Sequence, residues 1–363
     1  MLTYWLMFLV PAVAALGERA RAGAIGVTRR GASLNVSWIM LATILSLLIG
    51  YRHEVGGDWG NYLRNFEGLD LSTFAEVLIA SDPGYRLLEW LAIESGGGIY
   101  VVNLIGGTAF AFGLAVFCRS LPRPWLALVV AVPYLIIVVA MGYSRQGIAL
   151  GFAMFGLVAL GQQRYLRFLF WVFVGATFHK SAVLLLPIAA LASTRKRLFA
   201  FFWAGLMTVM AYLLLLQAAV DDLREGYIEA QYQSEGALIR LTMNLLPAVL
   251  FLIASKRFEM APSQRALWRW FSLISVALFV YYFISPSSTA VDRIALYMLP
   301  LQMVIFSYFP NAFGKRGGQN QVLVMAVIAY YAAVEFVWLN FAIHASGWIP
   351  YKFYPLEWLG GSL

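Results

Sequence analysis

Apolar residues occur in long runs along this chain, and polar residues are confined to the intervals between them. Many runs approach or reach the roughly 17 to 25 residues that a helix needs to cross a bilayer. The strands of a membrane β-barrel would instead alternate in polarity over about ten residues. We therefore predict an all-α polytopic membrane protein, a single transmembrane domain over residues 1–363 with about twelve spans. The predicted spans are residues 2–16, 34–51, 99–117, 125–141, 145–160, 166–178, 181–193, 198–217, 241–255, 268–284, 291–309 and 321–341.

The composition supports this assignment. The 363 residues are 61% hydrophobic and only 12% charged, and a water-soluble globular protein cannot bury that much apolar surface. The first apolar run has no basic residue before it, and the first positive charge is Arg19, after it. A secretory signal has the opposite order, so we predict that this run is retained as a span.

The distribution of charge along the chain predicts its orientation. If residues 17–33 face the cytoplasm, most of the 26 basic residues fall in cytoplasmic loops and most of the 18 acidic residues fall on the other side. This is the asymmetry expected for membrane proteins. Both termini are then predicted to lie outside the cytoplasm. The net charge of +8 is explained by topology and does not indicate a nucleic-acid partner.

Two outer segments, residues 52–98 and 218–240, are long enough to fold. In the first, the sequence GYRLLEWLAIE predicts an interfacial helix. Leu87, Leu88 and Leu91 lie on one face, and Arg86 and Glu89 lie on the other. Loops of this length commonly carry function, and the alternative is a solvated connector.

Several polar residues are predicted to lie below the outer surface of the membrane. The spans that flank His179 and Lys180 are too short to cross a hydrocarbon core of about 30 Å, and a similar argument applies to Arg145 and Gln146. Glu335 lies roughly 10 Å inside the last span at 1.5 Å per residue, where pairing with an outer arginine is expected.

Arg293 is predicted at the start of the span that contains it, where the helix dipole opposes its charge. Asp292 beside it would then be an acid in the first turn. A cation in such an unfavourable position is the better functional candidate of the two. Together with Arg52, Arg145 and Lys180, Arg293 indicates an anionic ligand. Arginine binds phosphate oxygens through two N–H groups at once, so these residues suit a lipid-linked phosphate or pyrophosphate.

Five short motifs in this order resemble the EpsG branch of the Wzy-type bacterial polysaccharide polymerases. They are an arginine before VGGDWGNY, then YSRQGIALG, FHKSAVLLLP, DRIALYML and GWIPYKF. The resemblance implies an enzyme of the bacterial inner membrane that faces the periplasm. It would transfer a growing glycan from undecaprenyl pyrophosphate to a second lipid-linked repeat unit, without a metal or other cofactor. It also implies a relation to the membrane-embedded lipid-donor glycosyltransferase folds. The residues that it points to are Arg52, Asp58, Tyr62, Arg145, Gln146, His179, Arg293 and Tyr297.

On this interpretation, His179 is the expected general base because the usual pKa of histidine is near neutral. Asp58 is expected to bind the acceptor or shape its glycine-rich loop. Lys180 and Glu335 complete the expected substrate site, and a chain-length regulator and a flippase are possible protein partners. Three alternatives stay open: a flippase or transporter of the same glycan, an acyltransferase that uses Arg52 and His53, and a scaffold subunit.

Overall fold

A computed structural model of the chain describes residues 1–19, 34–69, 74–80, 82–188, 236–315 and 318–360, together with five isolated residues between 198 and 209. Outside the described residues lie most of the predicted span 198–217, the end of the span 181–193 and most of the outer segment 218–240.

The described residues are almost entirely helical, as predicted. The N-terminal part contains α1 (Leu2–Gly17), α2 (Val36–Gly50), strand β1 (Arg52–His53), α3 (Trp59–Glu67), α4 (Phe74–Ile79), α5 (Pro83–Glu94) and α6 (Gly98–Arg119). The middle contains α7 (Pro124–Ala131), a π-helix (Val132–Ala140), α8 (Ser144–Gly161), α9 (Tyr165–Phe178) and a 3₁₀ helix (Lys180–Leu185). The last part contains α10 (Ala237–Ala254), α11 (Pro262–Tyr282), α12 (Ser288–Ala295), α13 (Pro300–Phe313), α14 (Gln321–Phe341), strand β2 (Lys352–Phe353) and α15 (Tyr354–Gly360), with short 3₁₀ turns at Ser255–Arg257, Leu296–Met298 and Ile343–Gly347.

Four helices among the described residues are long and apolar enough to cross a membrane, and a fifth span results if the pair Ser288–Met298 and Pro300–Phe313, bent by 44°, counts as one. Four further apolar helices are shorter than a full span. These lengths support a membrane protein, and the total of twelve spans stays a prediction. The helix bounds nevertheless follow the predicted apolar runs closely, because an apolar run ends where polar residues return the chain to water.

The π-helix lies in the middle of the bundle, and each of its residues from Val132 to Ala140 is buried. Pro133 has no N–H to donate to the preceding turn, which interrupts the α-helical hydrogen bonds where the π-helix begins. The π-helix ends at Ala140, directly before the Met141–Tyr143 joint that leads into α8. The central helix therefore fixes the position of that joint.

Helices α6 and α8 pack at very close range. A Cβ atom on Gly113 would lie 2.2 Å from the carbonyl oxygen of Gly151, and one on Gly151 would lie 2.6 Å from the Cα of Phe110. Small residues at such crossings allow helix backbones to approach closely inside membranes. This contact holds the middle of α8 beside α6.

The predicted faces of α5 are wrong in part. Leu88 is buried and Leu91 is 43% exposed, as a side chain facing lipid would also be, but Glu89 on the predicted polar face is only 1% exposed. Arg86 donates to Glu89 at 2.8 Å, which gives the buried carboxylate a partner. Because α5 packs against α6 and α9, these protein contacts decide which residues are buried.

A buried arginine, Arg123, lies in the loop between α6 and α7, which the sequence predicted to be cytoplasmic. The guanidinium of Arg123 donates to Asn311 Oδ1 at 3.0 Å and to the carbonyl oxygens of Glu18 and Gly318 at 2.9 Å each. The backbone N–H of Trp125 donates to the Glu18 carboxylate at 3.1 Å. Arg123 therefore fastens the loop between α6 and α7 to two other loops.

Candidate functional site

The first and last of the five motifs meet in a two-stranded antiparallel ribbon. Strand β1 pairs with β2, so that Arg52 lies opposite Phe353 and His53 opposite Lys352. The ammonium of Lys352 forms an ion pair with Glu54. The ribbon brings residues from near the two ends of the chain to one end of the bundle.

The glycine-rich loop before Asp58 is fixed against the α7–α8 joint. Gly56 has a φ of +111°, which is accessible to glycine and rare for other residues, and its N–H donates to the carbonyl oxygen of Gly347 at 2.8 Å. The indole of Trp348 donates to the carbonyl oxygen of Ile137 at 2.7 Å. A Cβ atom on Gly142 would lie 2.4 Å from that indole, so the motifs GGDW, MGYS and GWIP form one packed unit.

Arg52 lies beneath this unit and is only 2% exposed. It donates to the carbonyl oxygen of Val55 at 3.3 Å and also to that of Ile49. It further donates to Asn103 Oδ1 at 3.3 Å and to Ser144 Oγ at 2.8 Å. The sequence predicted a phosphate contact here, whereas the structure directs this guanidinium into the protein.

Arg145 lies in a cage of one carboxylate and two aromatic rings. Its Nη1 atom is 3.0 Å from Asp82 Oδ2. The guanidinium carbon lies 5.7 Å from the ring centroid of Tyr62 and 5.2 Å from that of Tyr85, distances typical of cation–π contacts. The Arg145 side chain is 28% exposed, so it is reachable from outside the protein.

Gln146 and Arg293 join α8 to α12. The Gln146 amide donates to the carbonyl oxygen of Arg293 at 2.7 Å, and Arg293 Nη1 donates to Gln146 Oε1 at 3.4 Å. The Arg293 guanidinium also lies 4.2 Å from the ring centroid of Tyr143. Among the described residues, no carboxylate forms an ion pair with Arg293.

The predicted helix position of Arg293 and Asp292 is wrong. Helix α12 begins at Ser288, and the side chain of Ser287 caps it by accepting from the N–H of Ala290 at 3.4 Å. Arg293 is therefore in the last turn, where the helix dipole favours a cation. Asp292 accepts from Arg240 Nε at 2.6 Å, so it belongs to an ion pair between α12 and α10.

His179 lies between α9 and the following 3₁₀ helix, and a neighbouring serine holds its ring. The Nδ1 atom is 2.6 Å from Ser181 Oγ, and the Ser181 hydroxyl is 3.2 Å from the hydroxyl oxygen of Tyr297. The charges of Arg145, Lys180 and Arg293 all act on the His179 ring. The structure thus brings four of the expected site residues into one neighbourhood, where their charges interact: His179, Arg145, Lys180 and Arg293.

Asp58 and Tyr62 approach the same neighbourhood from α3. Asp58 is half-buried, and no hydrogen bond or ion pair joins its carboxylate to another described residue. Its charge acts on Tyr62 and on Tyr143. Burial raises the pKa of the Tyr62 hydroxyl, so that group remains protonated and available as a hydrogen-bond donor at neutral pH.

The predicted ion pair between Glu335 and an outer arginine does not form among the described residues. Glu335 is 1% exposed in α14, and neither carboxylate oxygen has a hydrogen-bond partner in the part of the chain that the structure describes. The other charged site residues act on one another, but none of them acts on Glu335. Glu335 therefore stands apart from the candidate site.

The geometry places cations, a histidine and a carboxylate at one end of the bundle, in segments that carry all five motifs. A sequence model of the EpsG family matches residues 35–353. The chain belongs to the EpsG family. No curated protein and no solved structure matches it. The family match begins before α2 and ends in β2, so it includes every residue of the candidate site.

Three members of the site were missed by sequence reasoning: Asp82, Tyr85 and Ser181. Ser181 stands within the EpsG-like motif FHKSAV, and its position two residues after His179 was the available signal. Asp82 and Tyr85 precede and open α5, outside the five motifs, and the sequence carried no signal that they would enclose Arg145. Among the described residues, no cluster of three or more histidine, cysteine, aspartate or glutamate side chains is arranged to hold a metal ion.

Proposed function

We propose that this EpsG-family protein is a polysaccharide polymerase of the bacterial inner membrane. It joins oligosaccharide repeat units carried on undecaprenyl pyrophosphate by glycosyl transfer at the periplasmic face. The family match supports a polymerase. The observation that carries the reaction is that Arg293 has no carboxylate partner among the described residues and lies with Arg145 and Lys180 near His179, where burial and these cations lower the pKa of the imidazole. A pyrophosphate anion held by the cations would offset their effect on His179.

The proposed reaction is a displacement at the anomeric carbon of the donor sugar. The acceptor hydroxyl oxygen forms a bond to that carbon while the bond from the carbon to the pyrophosphate oxygen breaks. The bonding electron pair leaves with the pyrophosphate, which stays attached to its lipid. The proton of the acceptor hydroxyl passes to His179, for which Ser181 supplies a fixed orientation.

The leaving pyrophosphate gains negative charge, and the positive charges of the arginines stabilise it. Stabilisation by preorganised charges is usually the largest contribution to such a reaction. Arg293 and Lys180 form no ion pair with a described carboxylate, and Arg145 donates to Asp82 through only one of its two terminal nitrogens. Guanidinium N–H groups thus remain for phosphate oxygens. The half-buried Asp58 is proposed to orient the acceptor sugar.

Two open alternatives fit the geometry less well. A transporter requires polar groups that are reachable from both faces, whereas the candidate site lies at one end of the bundle. An acyltransferase that used Arg52 and His53 together would need both at one centre. Arg52 instead donates to Ser144, and His53 Nδ1 lies 2.6 Å from the hydroxyl of Tyr100.

The test is deletion of the gene followed by electrophoresis of the surface polysaccharide. The expected result is that the polymer ladder collapses to a single capped repeat. The wild-type gene should restore the ladder, whereas genes carrying Arg293→Ala or His179→Ala should not. Arg64→Ala, in an exposed helix turn, is the control and should restore the ladder. A loss of all surface glycan would indicate export, and a persisting ladder would exclude the polymerase.

A further inference from the structure

A buried arginine without a counter-ion lies behind the candidate site. Arg52 is 2% exposed and forms no ion pair with any carboxylate of the described residues. A guanidinium stays charged at any physiological pH. Because an uncompensated charge is costly to bury, this position favours an anion close to Arg52.

A small cavity lies next to this guanidinium, between α2, α6 and α8. Its polar lining comes from Arg52, Asn103, Ser144 and Tyr85, and the rest is glycine and apolar side chains. The cavity has room for about one water-sized species. It is therefore too small for a phosphate or a pyrophosphate, and it borders the candidate site through Tyr85, whose ring also contacts Arg145.

The polar groups of the lining present hydrogen-bond donors. Tyr85 is 1% exposed, and its hydroxyl has no hydrogen-bond partner among the described residues. Ser144 Oγ and Asn103 Oδ1 both accept from Arg52. The hydroxyl hydrogen of Ser144 and the amide hydrogens of Asn103 are donated to no described residue. No carboxylate lines the cavity.

We propose that this cavity binds one chloride ion. A monovalent halide matches a lining that combines one positive charge with several O–H and N–H donors, and it is only slightly larger than the water molecule for which the cavity has room. The ion would neutralise Arg52 and accept from Tyr85 and Ser144. It would thereby tie the loop before Asp58 to α6 and α8. This site goes beyond the proposed polymerase activity and does not depend on it.

The experiment uses the full-length protein purified in detergent without chloride. Thermal unfolding is followed while sodium chloride replaces sodium gluconate at constant ionic strength. The expected result is a saturable rise in the unfolding temperature with chloride, reproduced by bromide and not by sulfate, which the cavity cannot hold. An anomalous bromide signal beside the Arg52 guanidinium in crystals would locate the ion.

Two variants connect the effect to the cavity without removing the arginine. Tyr85→Phe and Ser144→Ala each delete one donor, and each should raise the half-effect chloride concentration about tenfold or more, as expected for a lost hydrogen bond to a charged group. Tyr281→Phe, at a residue that is 48% exposed, is the control and should behave as wild type. An unfolding temperature that ignores halides, or a chloride response that neither cavity variant changes, would overturn the proposal in favour of a bound water.

Discussion

The guanidinium of Arg145 lies 3.0 Å from the carboxylate of Asp82. This contact joins α8 to the loop that begins α5. It also means that Arg145 is partly neutralised before any substrate binds. In the proposed reaction, an incoming pyrophosphate therefore competes with Asp82 for Arg145, whereas at Arg293 it meets no such competitor among the described residues.

Asp82→Asn is expected to strengthen pyrophosphate binding. The substitution keeps the shape of the side chain and removes the negative charge that opposes the ligand. The dissociation constant of a short-chain prenyl pyrophosphate should fall by a few-fold to about tenfold, in the range of one partly solvated charge contact. Calorimetry with purified protein measures this, and Glu94→Gln, at an exposed residue, is the control. Unchanged or weaker binding would mean that Asp82 acts only by positioning Arg145.

Ser181→Ala is expected to lower kcat and leave KM nearly unchanged, because Ser181 orients His179 and is not proposed to touch the substrate. The loss should be about tenfold, less than the roughly 10²–10⁴-fold that a general base contributes. Ser181→Thr keeps the hydroxyl and should retain most of the rate. Initial rates of polymer formation from a lipid-pyrophosphate oligosaccharide measure both constants. Equal rates for the alanine and threonine variants would contradict the role of the hydroxyl.

Much of the fold was predictable because it depends on local patterns. The apolar runs gave the helix bounds, and the alternation of helices brought the five motifs to one end. The cap at Ser287 was also readable in the sequence SPSST, and it would have placed Arg293 beyond the first turn of α12.

The contacts between distant residues were not predictable in the same way. Arg145 and Asp82 are 63 positions apart, and several outer carboxylates were equally suitable partners for Arg145. Glu335 was expected to pair because a charged group in a membrane usually does. Only the packing of α14 shows that no basic side chain of the described residues pairs with it. Likewise, the burial of Arg52 depends on the ribbon formed by β1 and β2, whose register no local pattern specifies.

Gly142→Ala is expected to destabilise the protein. The added methyl group would lie 2.4 Å from the Trp348 ring, and overpacking of this kind costs about 1–3 kcal/mol. Trp348→Phe removes the ring atoms that clash, so the double variant should lose less stability than the two single variants together. Thermal unfolding in detergent measures the cycle. Gly17→Ala, where nothing lies within 4 Å of the added atom, is the control, and strict additivity would show that the two residues do not contact each other.

Glu89→Gln is expected to change how stability depends on pH. Burial raises the pKa of the Glu89 carboxyl in the folded protein, although Arg86 opposes the shift. A group whose pKa is raised on folding contributes stability below its unfolded pKa and loses that contribution as the pH rises through the folded value. Glutamine does not titrate and still accepts from Arg86. The unfolding temperature of the variant relative to wild type should therefore increase between pH 4 and pH 8, whereas Glu94→Gln should show no such trend. A difference that stays constant over this range would mean that Glu89 ionises as readily in the folded protein as in the unfolded chain.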